Sequence, residues 1–294
     1  MVILANDRRS SALFPITALA AILLIAVGGL LAWTRAGGPI APQAPRIPAG
    51  VAGSEPDGPT VAHLRVQVIA AFPHSRDAFT EGLVWQDGAL LESTGLYGRS
   101  SLRRVDPESG QILQSVPVDP RFFGEGIALA DSRLIQLTWR ENTAFVYDAS
   151  TFQRVGQLRY GGEGWGLCTD GARLVMSNGS SALTFRDPQT FDVLGAVDVT
   201  LDGAPVDQLN ELECVGDEVY ANVWMTDEIV RIDKQSGRVD ATIDASGLLT
   251  DDERVGADVL NGIAYDPDDE TFLITGKLWP KLFKVTFVSA DSGG

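Results

Sequence analysis

The chain has 294 residues, of which 45% are hydrophobic, enough for one large domain or two small ones with a sizeable core. The formal net charge is −16 and no basic stripe is available to neutralise phosphates, which excludes a nucleic-acid partner and disfavours adhesion to anionic lipid headgroups. The only histidines and cysteines are His63, His74, Cys168 and Cys214, and their spacing is not that of a zinc site.

An uncharged stretch at residues 12–33 follows Arg8 and Arg9. A stretch of this length is enough to span a bilayer as an apolar helix, and the two arginines favour a cytoplasmic N-terminus. The alternative is an export signal with a long apolar core, for which the small residues at 41–44 offer a cleavage site. Either reading puts the rest of the chain in an exported compartment, periplasmic or extracytoplasmic, as a membrane-anchored or a secreted protein.

A change of composition separates this segment from the rest of the chain. Residues 36–60 contain six prolines and five glycines, which predicts a disordered linker that the prolines partly extend. From residue 61 onward, short apolar or alternating runs are divided by Asp, Gly, Asn and Ser, which is an all-β pattern. We therefore expect an anchor or signal at residues 1–35, a linker at 36–60 and a globular domain at 61–288.

One stretch of this domain recurs five times. The copies are EGLVWQDGALLESTG from Glu81, EGIALADSRLIQLTW from Glu125, WGLCTDGARLVMSNG from Trp165, NELECVGDEVYANVW from Asn210 and NGIAYDPDDETFLITGK from Asn261. Each copy is an apolar strand, a turn rich in Asp and Gly, and a second apolar strand, which is typical of a β-hairpin. The first residues of successive copies are 44, 40, 45 and 51 positions apart.

Four of the hairpins are followed by a second strand–turn–strand unit, such as SSLRRVDPESGQILQSVPV, and we call each hairpin with its following unit a repeat. Four strands in a period of about 45 residues are typical of a β-propeller blade. The fifth repeat has only one further strand, at residues 281–287, while an unassigned strand at residues 64–72 precedes the first. Their pairing would leave no blade without its outer strand. The sequence thus predicts an all-β, five-bladed β-propeller closed by its N-terminal strand and preceded by an apolar helix and linker. The alternative, an open β-sandwich array, gives no reason for the period.

Two positions of each hairpin are expected at the same end, because the start of one antiparallel strand lies beside the end of the other. The first column, just before each inner strand, is Glu81, Glu125, Trp165, Asn210 and Asn261. The second column, at the end of each return strand, is Gly95, Trp139, Gly179, Trp224 and Lys277. In a propeller these ten positions would converge around one mouth of the central channel, with the hairpin tips at the opposite end. Phe79 and Phe123 precede the two glutamates by two residues.

The mixture of residues in these columns indicates a binding site. A lone Trp at a strand end is usually packing, and a lone Glu or Lys at a rim is usually solvated. Positions with a purely structural role, however, favour one residue type across repeats, and these positions vary. Aromatic walls with a few convergent polar groups are typical of a site for a small ligand, and Trp faces attract ammonium groups.

Eight motifs, in order from about residue 72 to 287, resemble the glutamine cyclotransferase family of plants and bacteria. They are FTEGL, ESTGLYGRSSLR, FGEG, GWGL, LNELE, ANVW, DVLNGIA and TGKLWPKLF. Members of the family are five-bladed propellers that convert N-terminal glutamine to pyroglutamate and release ammonia without a metal. The resemblance implies a glutaminyl-peptide cyclotransferase that acts on peptides or proteins beginning with glutamine and uses no cofactor. The alternatives are a non-catalytic module that binds peptide N-termini or amines, and a metal-dependent propeller hydrolase, for which two acids are a poor ligand set.

The resemblance also implies a role for each matching residue. Glu125, in FGEG, is the catalytic acid and base, and Glu81, where plant members carry glutamine, contacts the substrate α-amine. Asn210 and Lys277 are the polar residues near the reacting amide and candidate donors to its oxygen. The aromatic walls are Phe79, Phe123, Trp139, Trp165 and Trp224. Burial among aromatic rings would raise the pKa of the Glu125 carboxyl towards the range useful for proton transfer, and a nearby Lys277 would lower it.

Cys168 and Cys214 fall in the first strands of neighbouring repeats. An exported protein permits a disulfide between them, and buried thiols are the alternative. A monomer is expected, although the sequence does not fix the oligomeric state, and membrane contact is expected only through the N-terminal segment.

Overall fold

The computed structural model describes residues 60–290. The regular structure of this part is almost entirely strand, with one short helix, α1 (Asp251–Arg254), so the all-β prediction is confirmed. Between residues 60 and 290 no helix has the length and apolar character needed to cross a membrane. The predicted anchor or signal at residues 1–35, and nearly all of the linker predicted at 36–60, lie outside the described residues.

The strands follow the repeats found in the sequence. The first strand, β1 (Ala62–Pro73), precedes the first repeat, which contains β2 (Thr80–Gln86), β3 (Ala89–Thr94), β4 (Ser101–Val105) and β5 (Ile112–Pro117). The second repeat contains β6 (Gly124–Ala130), β7 (Arg133–Thr138), β8 (Thr143–Asp148) and β9 (Arg154–Arg159). The third contains β10 (Leu167–Thr169), β11 (Leu174–Met176), β12 (Ala182–Arg186) and β13 (Val193–Asp198), and a small hairpin of β14 (Thr200–Leu201) and β15 (Ala204–Pro205) follows it. The fourth contains β16 (Leu209–Val215), β17 (Glu218–Val223), β18 (Glu228–Asp233) and β19 (Val239–Asp244), and the fifth contains β20 (Leu260–Asp266), β21 (Thr271–Gly276) and β22 (Lys281–Ser289).

Each of the first three repeats forms a four-stranded antiparallel sheet in which the strands follow chain order. The fourth and fifth repeats share one eight-stranded sheet, in the order β16-β17-β18-β19-β1-β22-β21-β20. Strand β1 lies at its centre. It pairs antiparallel with β22, with Val66 opposite Phe287, and parallel with β19, with Leu64 opposite Ile243. The predicted pairing of the N-terminal strand with the last strand is therefore confirmed, and the same strand also joins the fourth repeat to the fifth.

The first strands of the five repeats contact one another in a closed ring. β2 contacts β6, β6 contacts β10, β10 contacts β16, β16 contacts β20, and β20 returns to β2. An apolar core fills each space between neighbouring repeats. Between the first and second repeats, for example, Leu91 and Leu102 pack with Ile127, Leu134 and Phe145. The fifth and first repeats are joined in the same way by Leu83 and Leu90 with Ala264, Leu273 and Leu282. The architecture is thus β-propeller-like.

A disulfide joins Cys168 of β10 to Cys214 of β16, with the two Cα atoms 5.6 Å apart. The sequence left a disulfide and buried thiols as alternatives, and the structure has the disulfide. The bond links the first strands of the third and fourth repeats, close to their hairpin turns.

Candidate active site

The ends of the hairpins remote from their turns surround a cavity of about 470 Å³. We call it the rim cavity, and the residues that line it are Phe79, Glu81, Phe123, Glu125, Trp139, Trp165, Asn210, Trp224, Met225, Asp258 and Lys277. All nine residues that the sequence analysis assigned to a site are among them. Met225 and Asp258 are the two that it did not identify.

Backbone hydrogen bonds explain why the two columns meet. In the first two hairpins, the second-column residues Gly95 and Trp139 donate their N–H groups to the carbonyls of Phe79 and Phe123, at 2.8 and 3.0 Å. Lys277 likewise donates to Val259 at 2.9 Å. In each case the acceptor lies two residues before the first-column position. The second column therefore lies beside the start of the inner strand, as the hairpin argument predicted.

A break in strand register occurs at the first column of four hairpins. The ladder jumps from Thr80 to Gly82, from Gly124 to Ile127, from Leu209 to Leu212 and from Leu260 to Ile263. The first-column residues of these hairpins lie inside the jumps, so they have no partner across the ladder. A β-bulge of this kind bends its strand and re-aims a side chain that the regular pleat would otherwise direct. The side chains at the bulges are therefore not bound to the in-and-out alternation of a regular strand. They belong to Glu81, Glu125, Asn210 and Asn261.

The glycines of the second column make room for aromatic rings. A Cβ atom on Gly95 would lie 2.4 Å from Cε1 of the Phe123 ring, and one on Gly179 would lie 2.7 Å from the ring of Trp165. Both distances are far below van der Waals contact. In the first four hairpins the second column therefore alternates between glycines, which leave room for a neighbouring ring, and tryptophans, which supply a ring.

The aromatic residues form two contacting groups around the rim cavity. The ring centroid of Phe123 lies 6.2 Å from Phe79, 5.6 Å from Trp139 and 5.5 Å from Tyr97. Trp165 and Trp224 meet edge to face with centroids 5.6 Å apart. Edge-to-face and tilted contacts at these separations are favourable for aromatic pairs. They give the cavity an apolar wall whose exposed ring faces suit a cation.

The polar floor of the rim cavity is built around a buried ion pair. Lys277 Nζ lies 2.8 Å from Glu81 Oε2, and the same oxygen accepts a hydrogen bond from Asn261 Nδ2 at 3.2 Å. Lys277 also lies 4.9 Å from the centre of the Phe79 ring. Burial raises the pKa of Glu81 to about 7, although the Lys277 ammonium opposes that rise. The ammonium of Lys277 is therefore committed first to Glu81, a contact that the sequence did not predict.

Glu125 is the second buried carboxyl of the cavity, and it is only 5% exposed. Burial and then the charge of Glu81 raise its pKa well above the usual range, while Lys277 acts in the opposite direction. The sequence analysis predicted that burial would raise the pKa of Glu125 and that Lys277 would lower it, and the raising effect is the larger one. Its backbone carbonyl accepts a hydrogen bond from the Ser93 hydroxyl at 2.5 Å, which fixes the bulge that carries it.

Asn210 has a buried amide oxygen without a hydrogen-bond partner among the described residues. Its backbone carbonyl accepts a hydrogen bond from the Ser177 hydroxyl at 2.6 Å, so the residue is held in place while the end of its side chain stays unpaired. An unpaired buried amide costs free energy and calls for an explanation. A ligand that brings its own polar group into the rim cavity would supply the missing partner.

The residues that sequence reasoning missed differ in how much signal they gave. Met225 directly follows Trp224, and the residues after the second column in three hairpins, Leu96, Met225 and Leu278, all have positive φ, of 82°, 67° and 60°. Extending the column by one residue would have found Met225. Asp258 lies in the loop between α1 and β20, outside the aligned hairpins, and its signal was its place as the first residue of the family motif DVLNGIA.

No group of three or more His, Cys, Asp or Glu side chains in the described part of the chain is arranged to hold a metal ion. The rim cavity itself offers the carboxyls of Glu81, Glu125 and Asp258 beside a lysine. This donor set favours proton transfer and the binding of a cation more than the coordination of a divalent ion.

Known proteins are similar to this chain in sequence and in fold. The family model described as glutamine cyclotransferase matches residues 45–287. A glutaminyl-peptide cyclotransferase of Arabidopsis thaliana is 44% identical over 236 residues, which are 78% of this chain and 73% of that protein. The crystal structure of Myxococcus xanthus glutaminyl cyclase superposes with a TM-score of 0.72 at 40% identity, over 79% of this chain and 100% of that chain.

Proposed function

The chain belongs to the glutamine cyclotransferase family, and we propose that the rim cavity is its active site, with Glu125 as the group that moves protons. The protein is a glutaminyl-peptide cyclotransferase, and its substrates are peptides or proteins that begin with glutamine. The observation that carries the proposed mechanism is a buried carboxyl of raised pKa, Glu125, in a cavity with aromatic walls and an unpaired amide.

The reaction joins the α-amino nitrogen of the substrate to the γ-carboxamide carbon of the same residue. The attack forms a tetrahedral intermediate and closes a five-membered ring, and the carbon–nitrogen bond of the amide then breaks. The products are pyroglutamate at the peptide terminus and ammonia. One proton must leave the attacking nitrogen, and one must reach the departing nitrogen. A single group can serve both steps, because the proton taken from the first nitrogen is the one that the second nitrogen needs.

Glu125 has the properties that this double role requires. A carboxyl whose pKa lies nearer neutrality can accept a proton from the amine and still release it to the amide nitrogen. The burial of Glu125 and the neighbouring charge of Glu81 raise its pKa in this direction. Since the base form of Glu125 starts the reaction, the acid limb of the pH profile of kcat/KM should lie above the pKa of about 4.3 of a free glutamate side chain.

The other polar residues bind and orient the substrate in this proposal. Oε2 of Glu81 is held by Lys277 and Asn261, which leaves the second carboxylate oxygen for the α-amine. Asn210, through Nδ2, and Lys277, through Nζ, donate hydrogen bonds to the substrate amide oxygen, which gains negative charge in the tetrahedral intermediate, and the unpaired Oδ1 of Asn210 accepts a hydrogen bond from a substrate N–H. A lysine has three N–H donors, so the pairing of Lys277 with Glu81 leaves two for this purpose. The aromatic rings surround the glutaminyl side chain and exclude water.

The finer architecture is part of the same proposal. The five repeats are the five blades of a propeller over residues 61–288, and the closed ring of contacts among their first strands supports this count. Residues 1–35 act as a membrane anchor or export signal and residues 36–60 as a linker, so the catalytic domain works in an exported, periplasmic or extracytoplasmic compartment. The Cys168–Cys214 disulfide supports that location, because such bonds persist in oxidising compartments.

The test is ammonia release from a dipeptide that begins with glutamine, measured with the full chain and with the Glu125→Gln variant. We expect the variant to lose about 10²–10⁴-fold in kcat, the usual contribution of general acid–base catalysis. Asp131→Asn is the matched control, because it removes a carboxylate from the turn of the same hairpin, and it should keep full activity.

Undiminished activity of Glu125→Gln would refute the role assigned to this residue. Tight binding of the dipeptide by the wild-type chain without release of ammonia would refute the catalytic function and favour a module that only binds peptide N-termini.

A further inference from the structure

One carboxylate outside the lining of the rim cavity contacts two of the three tryptophans that line it. Oε2 of Glu163 accepts hydrogen bonds from the indole Nε1 atoms of Trp139, at 2.8 Å, and Trp165, at 3.1 Å. Its other oxygen, Oε1, accepts a hydrogen bond from Arg140 Nε at 2.8 Å. Trp139 belongs to the second hairpin and Trp165 to the third, so this single side chain bridges two repeats.

The ring of Trp139 is fixed on its face as well as at its edge. The guanidinium carbon of Arg140 lies 3.6 Å from the ring centre, and the Phe123 ring packs against the same indole at 5.6 Å. Arg140 is itself held by Glu163, so the carboxylate acts on Trp139 both directly and through this arginine. The backbone adds a further tie, because Gly164 N–H donates to the carbonyl of Trp139 at 2.9 Å.

The position of Glu163 in the repeat explains how it reaches both indoles. It lies two residues before the first-column residue Trp165, as Phe79 and Phe123 lie two residues before Glu81 and Glu125. In the first two repeats this position supplies a ring of the wall. In the third it supplies the acceptor that holds two other rings of the wall.

Trp139 and Trp165 are half-buried. Side chains that are partly exposed to solvent can exchange rotamers on a fast timescale. Ordering such rings only when substrate arrives would reduce affinity, whereas rings that are already held avoid this cost. We propose that Glu163 is a positioning residue that holds Trp139 and Trp165 as a preformed wall for the glutaminyl substrate. This inference rests on the proposed function of the rim cavity.

Glu163 also has an electrostatic effect that must be separated from positioning. Its charge raises the pKa of Glu125, and so does the charge of Glu141, a residue that contacts the Tyr97 hydroxyl but neither indole. The charges that act on the pKa of Glu125 are those of Glu81, Lys277, Glu163 and Glu141, and the charge of Glu125 in turn acts on the hydroxyls of Tyr97 and Tyr160. Glu141→Gln therefore removes a comparable charge without altering the hydrogen bonds of either indole, and it is the matched control for charge.

The experiment compares Glu163→Ala, Glu163→Gln and Glu141→Gln in the full chain, by the KM and kcat of ammonia release and by acrylamide quenching of tryptophan fluorescence. Glu163→Ala should raise KM about fivefold or more, which corresponds to the loss of one net hydrogen bond, and should largely keep kcat. Its tryptophans should also become easier to quench. Glu163→Gln keeps one oxygen that can accept from both indoles, so KM and quenching should return close to wild type.

The loss of charge should act on a different quantity. Both Glu163→Gln and Glu141→Gln remove a negative charge that raises the pKa of Glu125, so both should move the acid limb of the pH profile to lower pH. Only Glu163→Ala should combine this shift with a raised KM. An unchanged KM for Glu163→Ala, or a Glu163→Gln variant whose KM rises as much as that of Glu163→Ala, would overturn the positioning role.

Failure of the inference and failure of the proposed function can be told apart. If the wild-type chain releases no ammonia, the proposed function fails. The quenching comparison then tests the hold of Glu163 on the indoles by itself, and equal quenching of Glu163→Ala and wild type would overturn it. If wild type is active and Glu163→Ala is kinetically identical to it, only the positioning role is wrong.

Discussion

The two ends of the hairpins differ in how far their residues depend on other repeats. At the turn end Asp and Gly recur, as in Asp87 and Gly88, which are exposed and whose φ angles of 51° and 80° are those of a type I′ turn. At the cavity end the five copies diverge to Glu, Glu, Trp, Asn and Asn. Glu81, only 2% exposed, is held there by Lys277 and Asn261 of the fifth repeat.

The difference shows which residues the repeated hairpin structure determines and which the cavity determines. A tight turn satisfies most of its own backbone locally, so turn-forming residues such as Asp and Gly recur from copy to copy. The cavity end is satisfied by residues of other repeats, so each copy needs a different side chain. Substitutions at the turn end should therefore change local stability alone, and substitutions at the cavity end should have effects that reach across repeats and into catalysis.

The largest effect on stability is expected from Lys277→Met at the cavity end. It leaves the buried Glu81 carboxyl without its partner, and breaking a buried ion pair costs about 3–5 kcal/mol of unfolding free energy. Without the lysine the pKa of Glu81 rises further. The protonated carboxyl then reduces the cost at low pH, and the loss of stability should grow as the pH rises from about 5 to 8. Denaturant unfolding at both pH values measures this.

The control for this variant is Lys284→Met, which removes the close partner of Asp269 at the turn end of the fifth hairpin and a longer contact, of 3.9 Å, to Asp266. Because the close partner, Asp269, is exposed, less stability should be lost than in Lys277→Met. Equal losses for the two lysine variants would contradict the contrast between the two ends.

The next largest effect is expected from removal of the disulfide in a Cys168→Ala, Cys214→Ala double variant. The bond closes a loop across a sequence separation of 46 residues, close to the hairpin turns and away from the rim cavity. Removing a disulfide typically costs about 2–4 kcal/mol of stability. The activity per folded molecule should stay at the wild-type value, measured by ammonia release well below the unfolding midpoint. A loss of kcat in the folded variant would contradict the prediction that changes near the hairpin turns do not affect catalysis at the rim cavity.

The smallest effects are expected from a pair of glycine substitutions that separate stability from activity. Gly88→Ala puts a side chain at φ 80° in open space, which should cost about 1 kcal/mol in stability and leave KM unchanged. Gly95→Ala puts a Cβ atom 2.4 Å from the Phe123 ring. Pushing that ring off its rotamer costs about 0.5–1.5 kcal/mol and should raise KM about two- to tenfold. Thermal unfolding measures the stability of both variants, and steady-state kinetics measures their KM. A raised KM for Gly88→Ala would contradict the predicted difference between the two ends of the hairpins.

Much of the fold could be predicted because the information for it is local. Alternating apolar residues and turn residues define each hairpin by themselves, and the single strand left over at each end of the domain predicted the pairing of β1 with β22. The site residues followed from the alignment of the repeats, since the hairpin geometry brings the columns to one end.

The remaining features depend on residues far apart in the sequence. The pairing of Lys277 with Glu81 joins the fifth repeat to the first, and nothing in either motif states which acid the lysine meets. The register jumps at the first column are invisible in a period-2 pattern. Glu163 had a signal in the sequence, because it occupies the repeat position of Phe79 and Phe123. Its hydrogen bonds to Trp139 and Trp165 become visible only once the structure gives the positions of the two indole rings.

The central position of β1 has a consequence for the synthesis of the protein. Of the described strands, β1 leaves the ribosome first, and its antiparallel partner β22 leaves last. Until β22 has been translated, the edge of β1 that β22 will cover has no partner. The edge of β21 that pairs with the other side of β22 has none either. Unpaired strand edges promote aggregation of nascent chains. A chain released before β22 is complete should therefore depend on chaperones far more than one that lacks a hairpin turn.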